Sequence, residues 1–146
     1  MTLYNPSVPA TPTTGIIQSV RSMLAVDTTT TSTSFVTLLT ASITTIGSSW
    51  LLIMVNYSTT DSSDVDSGNQ FRITVGGTVY AYAGHPTSVG EATAHNGARC
   101  IYTAALSAAT YVVNLDWLTL DATNTISCRP ATQAEGASLV IYEVTL

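Results

Sequence analysis

The chain has 146 residues and a mass of 15.3 kDa, enough for one domain that hides about 70% of the surface its unfolded chain exposes. It has no lysine, four arginines, nine acids and a formal net charge of -5, and its 26 threonines and 16 serines make up more than a quarter of the residues. So little cationic charge excludes a nucleic-acid binder, which must neutralise phosphates, and a hydrophobic share of 45% excludes a solvated coil.

Membrane partners are not expected either. The longest apolar run, Trp50 to Val55, falls far short of the ~20 residues of a spanning helix. The opening MTLYNPSVPATPTTG has neither the basic region nor the apolar region of a secretory leader, so synthesis in a cytosol with reduced thiols is expected.

Residues 1–19 read as an extended arm, with Pro6, Pro9 and Pro12 separated by Ser, Thr, Val and Ala. The segment around Gly15 to Ser22 is the one short stretch with a helical rhythm. From residue 20 the period is two and β-branched residues dominate, which predicts a single β-domain over 20–146. Strands are predicted near 20–26, 34–41, 48–58, 69–75, 78–83, 98–106, 110–118, 124–128 and 138–145. Between them lie segments rich in Gly, Ser, Thr, Asn and Pro. Gly76-Gly77 reads as a two-residue hairpin turn, because glycine accepts the positive φ of primed turns. An uninterrupted register from that turn sets Phe71 opposite Tyr82 and Ile73 opposite Tyr80. Eight to nine short strands predict an antiparallel β-sandwich of jelly-roll type.

The alternation within strands carries the functional signal. Over 110–118, Tyr111, Val113, Leu115 and Trp117 are expected to face in, with Thr110, Asn114 and Asp116 facing out. Over 48–58 both faces are apolar: Leu51, Ile53, Val55 and Tyr57 on one, Trp50, Leu52 and Met54 on the other. The last strand behaves alike, with Val140, Tyr142 and Val144 opposed to Leu139 and Ile141. Such strands need a second cover, either another copy of the chain or its own arm and loops. The expected oligomer interface is Trp50, Leu52, Met54, Leu139 and Ile141.

Residues suited to catalysis are sparse. His85 and His95 fall in a Gly-rich segment with Glu91, and no serine stands in a G-x-S-x-G elbow, so no catalytic residue and no enzyme activity is expected. Asp61, Asp64 and Asp66, followed by Gly68 and Asn69, resemble the start of a calcium loop. The twelfth position counted from Asp64 is Val75 where a bidentate Glu would be needed, so a solvated acidic loop is the plainer reading and no cofactor is expected. Tyr80, Tyr82 and Trp50 could form a glycan-stacking platform, although their alternation suits a core or an interface. Cys100 and Cys128 both read as inward-facing; buried thiols are expected, with an intrachain disulfide as the alternative.

Two stretches carry a family resemblance. LSAATYVVNLDW at 106–117 and ATQAEGASLVIYEV at 131–144 resemble the closing strands of jelly-roll modules in structural proteins of tailed bacteriophages, and FRITVGGTVY at 71–80 is similar to a hairpin upstream in them. Ala109 stands where that family has glycine. The resemblance implies a homotrimer, similar in architecture to trimers of the tumour-necrosis-factor type. Such modules serve as capsid decoration (cement) proteins, tail-fibre tips or head fibres. A chain with a short Pro-rich arm and no fibrous shaft is expected to be the first. It would bind the major capsid protein on the outer surface of the virion through Tyr4, Pro6, Pro9 and Pro12. A receptor-binding fibre module that takes a host-surface glycan is the alternative.

Overall fold

The computed structural model describes residues 15–61, 67–88, 94–128 and 136–145. Among these there are ten strands and no helix: β1 (Gly15–Met23), β2 (Thr28–Thr30), β3 (Val36–Thr44), β4 (Trp50–Asp61), β5 (Ser67–Val75), β6 (Thr78–Ser88), β7 (Ala94–Tyr102), β8 (Thr110–Thr119), β9 (Ile126–Cys128) and β10 (Ser138–Thr145). Every named pairing is antiparallel.

One sheet holds β1, β10, β4 and β7 in that order, and the other holds β3, β8, β5 and β6. The two short strands complete broken runs. β9 continues β10 along the same edge of β4, pairing with Thr59 to Asp61 where β10 ends at Asn56. In the same way β2 pairs with β9 as β1 pairs with β10. Counting each broken run once leaves eight strands, and each sheet interleaves strands from both halves of the chain. That double Greek key is a jelly roll, as the strand count predicted. The aliphatic and β-branched alternation makes this possible, since each inward row seals against the facing sheet.

The core is continuous between the sheets. Leu51, Ile53, Val113, Leu115, Leu139 and Ile141 are fully buried, joined by Phe71 and Trp117 at 1% exposure. Tyr57 stacks on Phe71 with ring centroids 3.8 Å apart, and Phe71 leans on Trp117 at 6.3 Å. The inward set expected for 110–118 is the one observed: Val113, Leu115 and Trp117 are buried and Tyr111 packs against the core.

Several expectations need correction. The stretch from Gly15 to residue 19 is strand, not arm or helix, and its partner is the last strand, with Gly15 opposite Thr145. Backbone pairing across the sheet overrides the weak local rhythm of that segment. Gly76 and Gly77 do form the two-residue turn, with φ of 56° and 83°. The register beyond it slips at a bulge, however, so Ile73 faces Ala81 and Phe71 faces Ala83. Tyr80 is the extra residue, and the slip sends Tyr82 outward to pair with Arg72. His85 and His95 lie within β6 and β7 and not in a loop, opposite Asn69 and Thr59 respectively. Ala109 has no left-handed backbone, since Ser48 is the one non-glycine residue with positive φ among those described. An alanine therefore meets no penalty in that turn.

Candidate functional site

The two outward faces of the sandwich differ in chemistry. Directly opposed residues of antiparallel strands share a face, so the registers define rows across each sheet. On the β1–β10–β4–β7 sheet the outward rows are Ile16–Val144–Trp50, Ser19–Tyr142–Leu52–Tyr102 and Arg21–Val140–Met54–Cys100. A fourth row, Met23–Ser138–Asn56–Ala98, adds two polar side chains near one end. Met54 is 45% exposed and Tyr102 is 57% exposed, while Trp50, Leu52, Val140 and Tyr142 are half-buried by one another. Arg21 is the one charged side chain in these rows.

The outward rows of the other sheet are Thr37–Asp116–Arg72–Tyr82 and Thr40–Asn114–Thr74–Val79, followed by Ser42–Val112 and Thr44–Thr110. Hydroxyls and amides dominate there. The Thr44 and Thr110 hydroxyls are hydrogen-bonded at 2.8 Å. Asp116 is buried although it faces outward, because Arg72 Nε and Thr37 Oγ1 each donate to its carboxylate at 2.9 Å. The Phe35 ring stacks under the Arg72 guanidinium, 4.2 Å from ring centre to Cζ, and Tyr82 closes the cluster at 6.1 Å from Phe35.

The expected interface residues divide. Trp50, Leu52 and Met54 lie on the outward apolar face, as the two-sided pattern of β4 allowed. Leu139 and Ile141 do not: both are fully buried in the core. Tyr142 stands opposite Leu52 and Val140 opposite Met54, so these two, with Val144, occupy the outward positions of β10. A strand apolar on both sides carries no mark of its phase. The partner register decides it.

The other candidates are also redistributed. Cys100 is exposed on the outward face opposite Met54, and Cys128 is fully buried in the core. Lying on opposite sides of the same sheet, they cannot meet the geometry of an intrachain disulfide. Trp50 and Tyr82 belong to opposite faces of the molecule, and Tyr80 packs against the core, so the three make no common platform for a sugar. Asp61 ends β4, while Asp64 and Asp66 lie outside the described residues, as do Tyr4, Pro6, Pro9 and Pro12. No group of three or more His, Cys, Asp or Glu side chains positioned to hold a metal is found among the described residues.

One charged group escaped the sequence reading. Glu143 is fully buried between the sheets, on the inward row Gln18–Glu143–Leu51. Its carboxylate accepts hydrogen bonds from Gln18 Nε2 at 2.5 Å, Ser49 Oγ at 2.5 Å and the Ile46 backbone N–H at 2.8 Å. Gln18 also donates to the Thr44 carbonyl at 2.6 Å. Burial pushes the Glu143 carboxyl upward, but the bonds from Gln18, Ser49 and Ile46 outweigh it and hold the group below the usual carboxylate range. The carboxylate thereby ties β1 and the turn between β3 and β4 to the last strand. The only signal in the sequence is its place on an inward position of β10, readable once that phase is known.

The chain matches no protein-family model, and no curated protein is similar to it in sequence.

Proposed function

We propose that the chain is a non-enzymatic structural protein of a tailed-phage virion, a decoration protein that binds the outside of the assembled head as a homotrimer. The observation that carries the self-association is the contrast between the two outward faces, one mainly apolar over β10, β4 and β7, with Arg21 and Ser19 at its β1 edge, and one rich in hydroxyls. A face of this composition left in water would be an aggregation hazard; packed against two copies it supplies the apolar core of an interface. The phage assignment is supported by the resemblance of 106–117 and 131–144 to virion jelly-roll modules, which share the architecture described above.

On this reading the trimer stabilises the shell by binding the assembled lattice in preference to free subunits. Three weak contacts on one body add through effective concentration. The test is the mass of the full chain by light scattering, expected at three times 15.3 kDa, together with its position on the particle by cryo-electron microscopy. A monomer, or density at the tail tip, overturns the proposal. The glycan-binding alternative gains no support from Trp50 and Tyr82, which face opposite ways.

A further inference from the structure

We propose that the free edge of β7 is a docking site for an extended strand of another protein, one that sets an acidic side chain between two apolar ones opposite Arg99. The choice of a foreign strand rests on the three-fold self-association proposed above; the open edge does not.

A sheet edge exposes unpaired N–H and C=O groups, and proteins blunt it with bulges, prolines, charges or brevity. Here the edge strands are β1, β2 and β7 in one sheet and β3 and β6 in the other. β2 has only three residues. The pairing of β1 with β10 slips between Ile16 and Gln18, which leaves Ile17 as an extra residue on the edge strand. Leu38 is the extra residue of β3. β6 slips twice against β5, at Tyr80 and again between His85 and Ser88. Each of these long edges is bent and its ladder broken. β7 differs from all of them: it matches β4 through nine consecutive pairs, from Leu52–Tyr102 to Thr60–Ala94, without a shift. It contains no proline and no acid, and its far edge pairs with no strand among the described residues.

The side chains along β7 select the strand. Ala98, Cys100 and Tyr102 are exposed at the ends of the outward rows that carry Asn56, Met54 and Leu52. Ala98 and Cys100 are short, so apolar side chains of an added strand can lean over them. Beyond them lies a groove walled by Met54, Val140 and Tyr142, with the polar Asn56, Ser138 and Arg99 beside these. Arg99 is exposed and has no carboxylate partner among the described residues. Directly opposed residues of an antiparallel pair share a face. An acid opposite Arg99 is therefore flanked by the two residues that stand opposite Ala98 and Cys100. Main-chain bonds to the edge give such a complex its affinity, and the alternating side chains give its specificity.

Symmetry decides whose strand it is. Pairing β7 antiparallel with its own copy needs a two-fold axis, which a three-fold ring lacks. The remaining edges of the next copy are the bulged or short ones, which cannot match nine unbroken pairs. A trimer therefore keeps its β7 edges open for a different chain.

The test uses the full chain and synthetic peptides as long as β7, built of alternating Thr and Val with Glu or Lys at the centre. A further Glu peptide is N-methylated along its backbone and so cannot join a ladder. Hydrogen exchange over residues 94–102, fluorescence anisotropy of labelled peptide and solution mass are read together. In the chain alone, the amides of β7 that point away from β4 are expected to exchange freely. The Glu peptide should protect them and bind about fivefold more tightly than the Lys peptide, and the N-methylated one should not bind. Arg99→Glu, an exposed substitution whose folding is checked by its melting temperature, should reverse the preference. Complete protection of β7 without peptide means that a copy already holds the edge. That overturns the foreign strand; a trimeric mass then leaves the self-association standing, and a dimeric mass removes both. Absence of protection by either unmethylated peptide at millimolar concentration overturns the docking edge, as does binding of the N-methylated peptide or a preference unchanged by Arg99→Glu. A monomer that binds the Glu peptide in the expected way upholds the docking edge and overturns the trimer.

Discussion

At the scale of single residues, two side chains show how closely the sandwich is packed. Gly97 of β7 stands opposite Tyr57, and a Cβ built on it would overlap the Tyr57 ring at Cζ and Oη. That ring cannot withdraw, because its other face is stacked on Phe71. Burial also pushes the Tyr57 hydroxyl pKa upward, an effect that Arg99 partly offsets. Gly97→Ala is therefore expected to cost about 1–3 kcal/mol through overpacking, read as a lower denaturant midpoint with unchanged slope. Glu143 makes stability depend on acid pH. Its folded pKa lies below the ordinary value, so its contribution is complete above the unfolded pKa and lost as pH falls through the folded pKa. Glu143→Gln should flatten the fall in stability on that acid limb. At neutral pH it should cost roughly 1–3 kcal/mol for each donor left unsatisfied. Chemical denaturation across pH checks both, and a variant with the parent's acid limb removes Glu143 as the cause.

At the scale of elements, the existence of most strands was legible and their relations were not. Thr, Val and Ile alternation marked β4, β8 and β10, and paired glycines marked the β5–β6 turn, because these signals are local. The bulge at Tyr80 and the phase of β10 were hidden. Both depend on a partner strand that sequence spacing does not identify. In β8 the phase was visible since Thr110, Asn114 and Asp116 alternate with apolar residues; in β10 aliphatic residues stand on both sides, and the charge of Glu143 falls on the inward set. The phase has a measurable consequence. Leu139→Ala should destabilise the fold by about 2–5 kcal/mol as a core truncation. Leu52→Glu, on the outward face, should keep the fold and lower the solution mass. Equal thermal losses with unchanged mass in both variants would falsify the assignment of faces.

At the scale of the whole molecule, the jelly roll turns two-sided strands into two unlike surfaces. Closure of the double Greek key puts β4 and β10 side by side, so their spare apolar residues merge into one patch. β3 and β8 merge their hydroxyls in the same way on the far side. The shortage of charge thereby acquires a structural sense: long charged side chains are depleted where surfaces meet, and Thr and Ser lose little entropy when covered. The proposed trimer also makes stability depend on protein concentration, so the melting temperature of the full chain should rise on concentration along with its mass.

The sequence by itself determined the class of fold, the strands with clear alternation, the tight glycine turn and the surplus of apolar surface, because composition and period-two patterning are properties of neighbouring residues. Tertiary structure alone decided that Leu139 and Ile141 go inward while Tyr142 and Val140 go outward, that Cys100 and Cys128 part company, and that Glu143 is held by Gln18, Ser49 and Ile46. Each depends on register between strands distant in the chain, and a shift of one residue there exchanges the two faces of a strand.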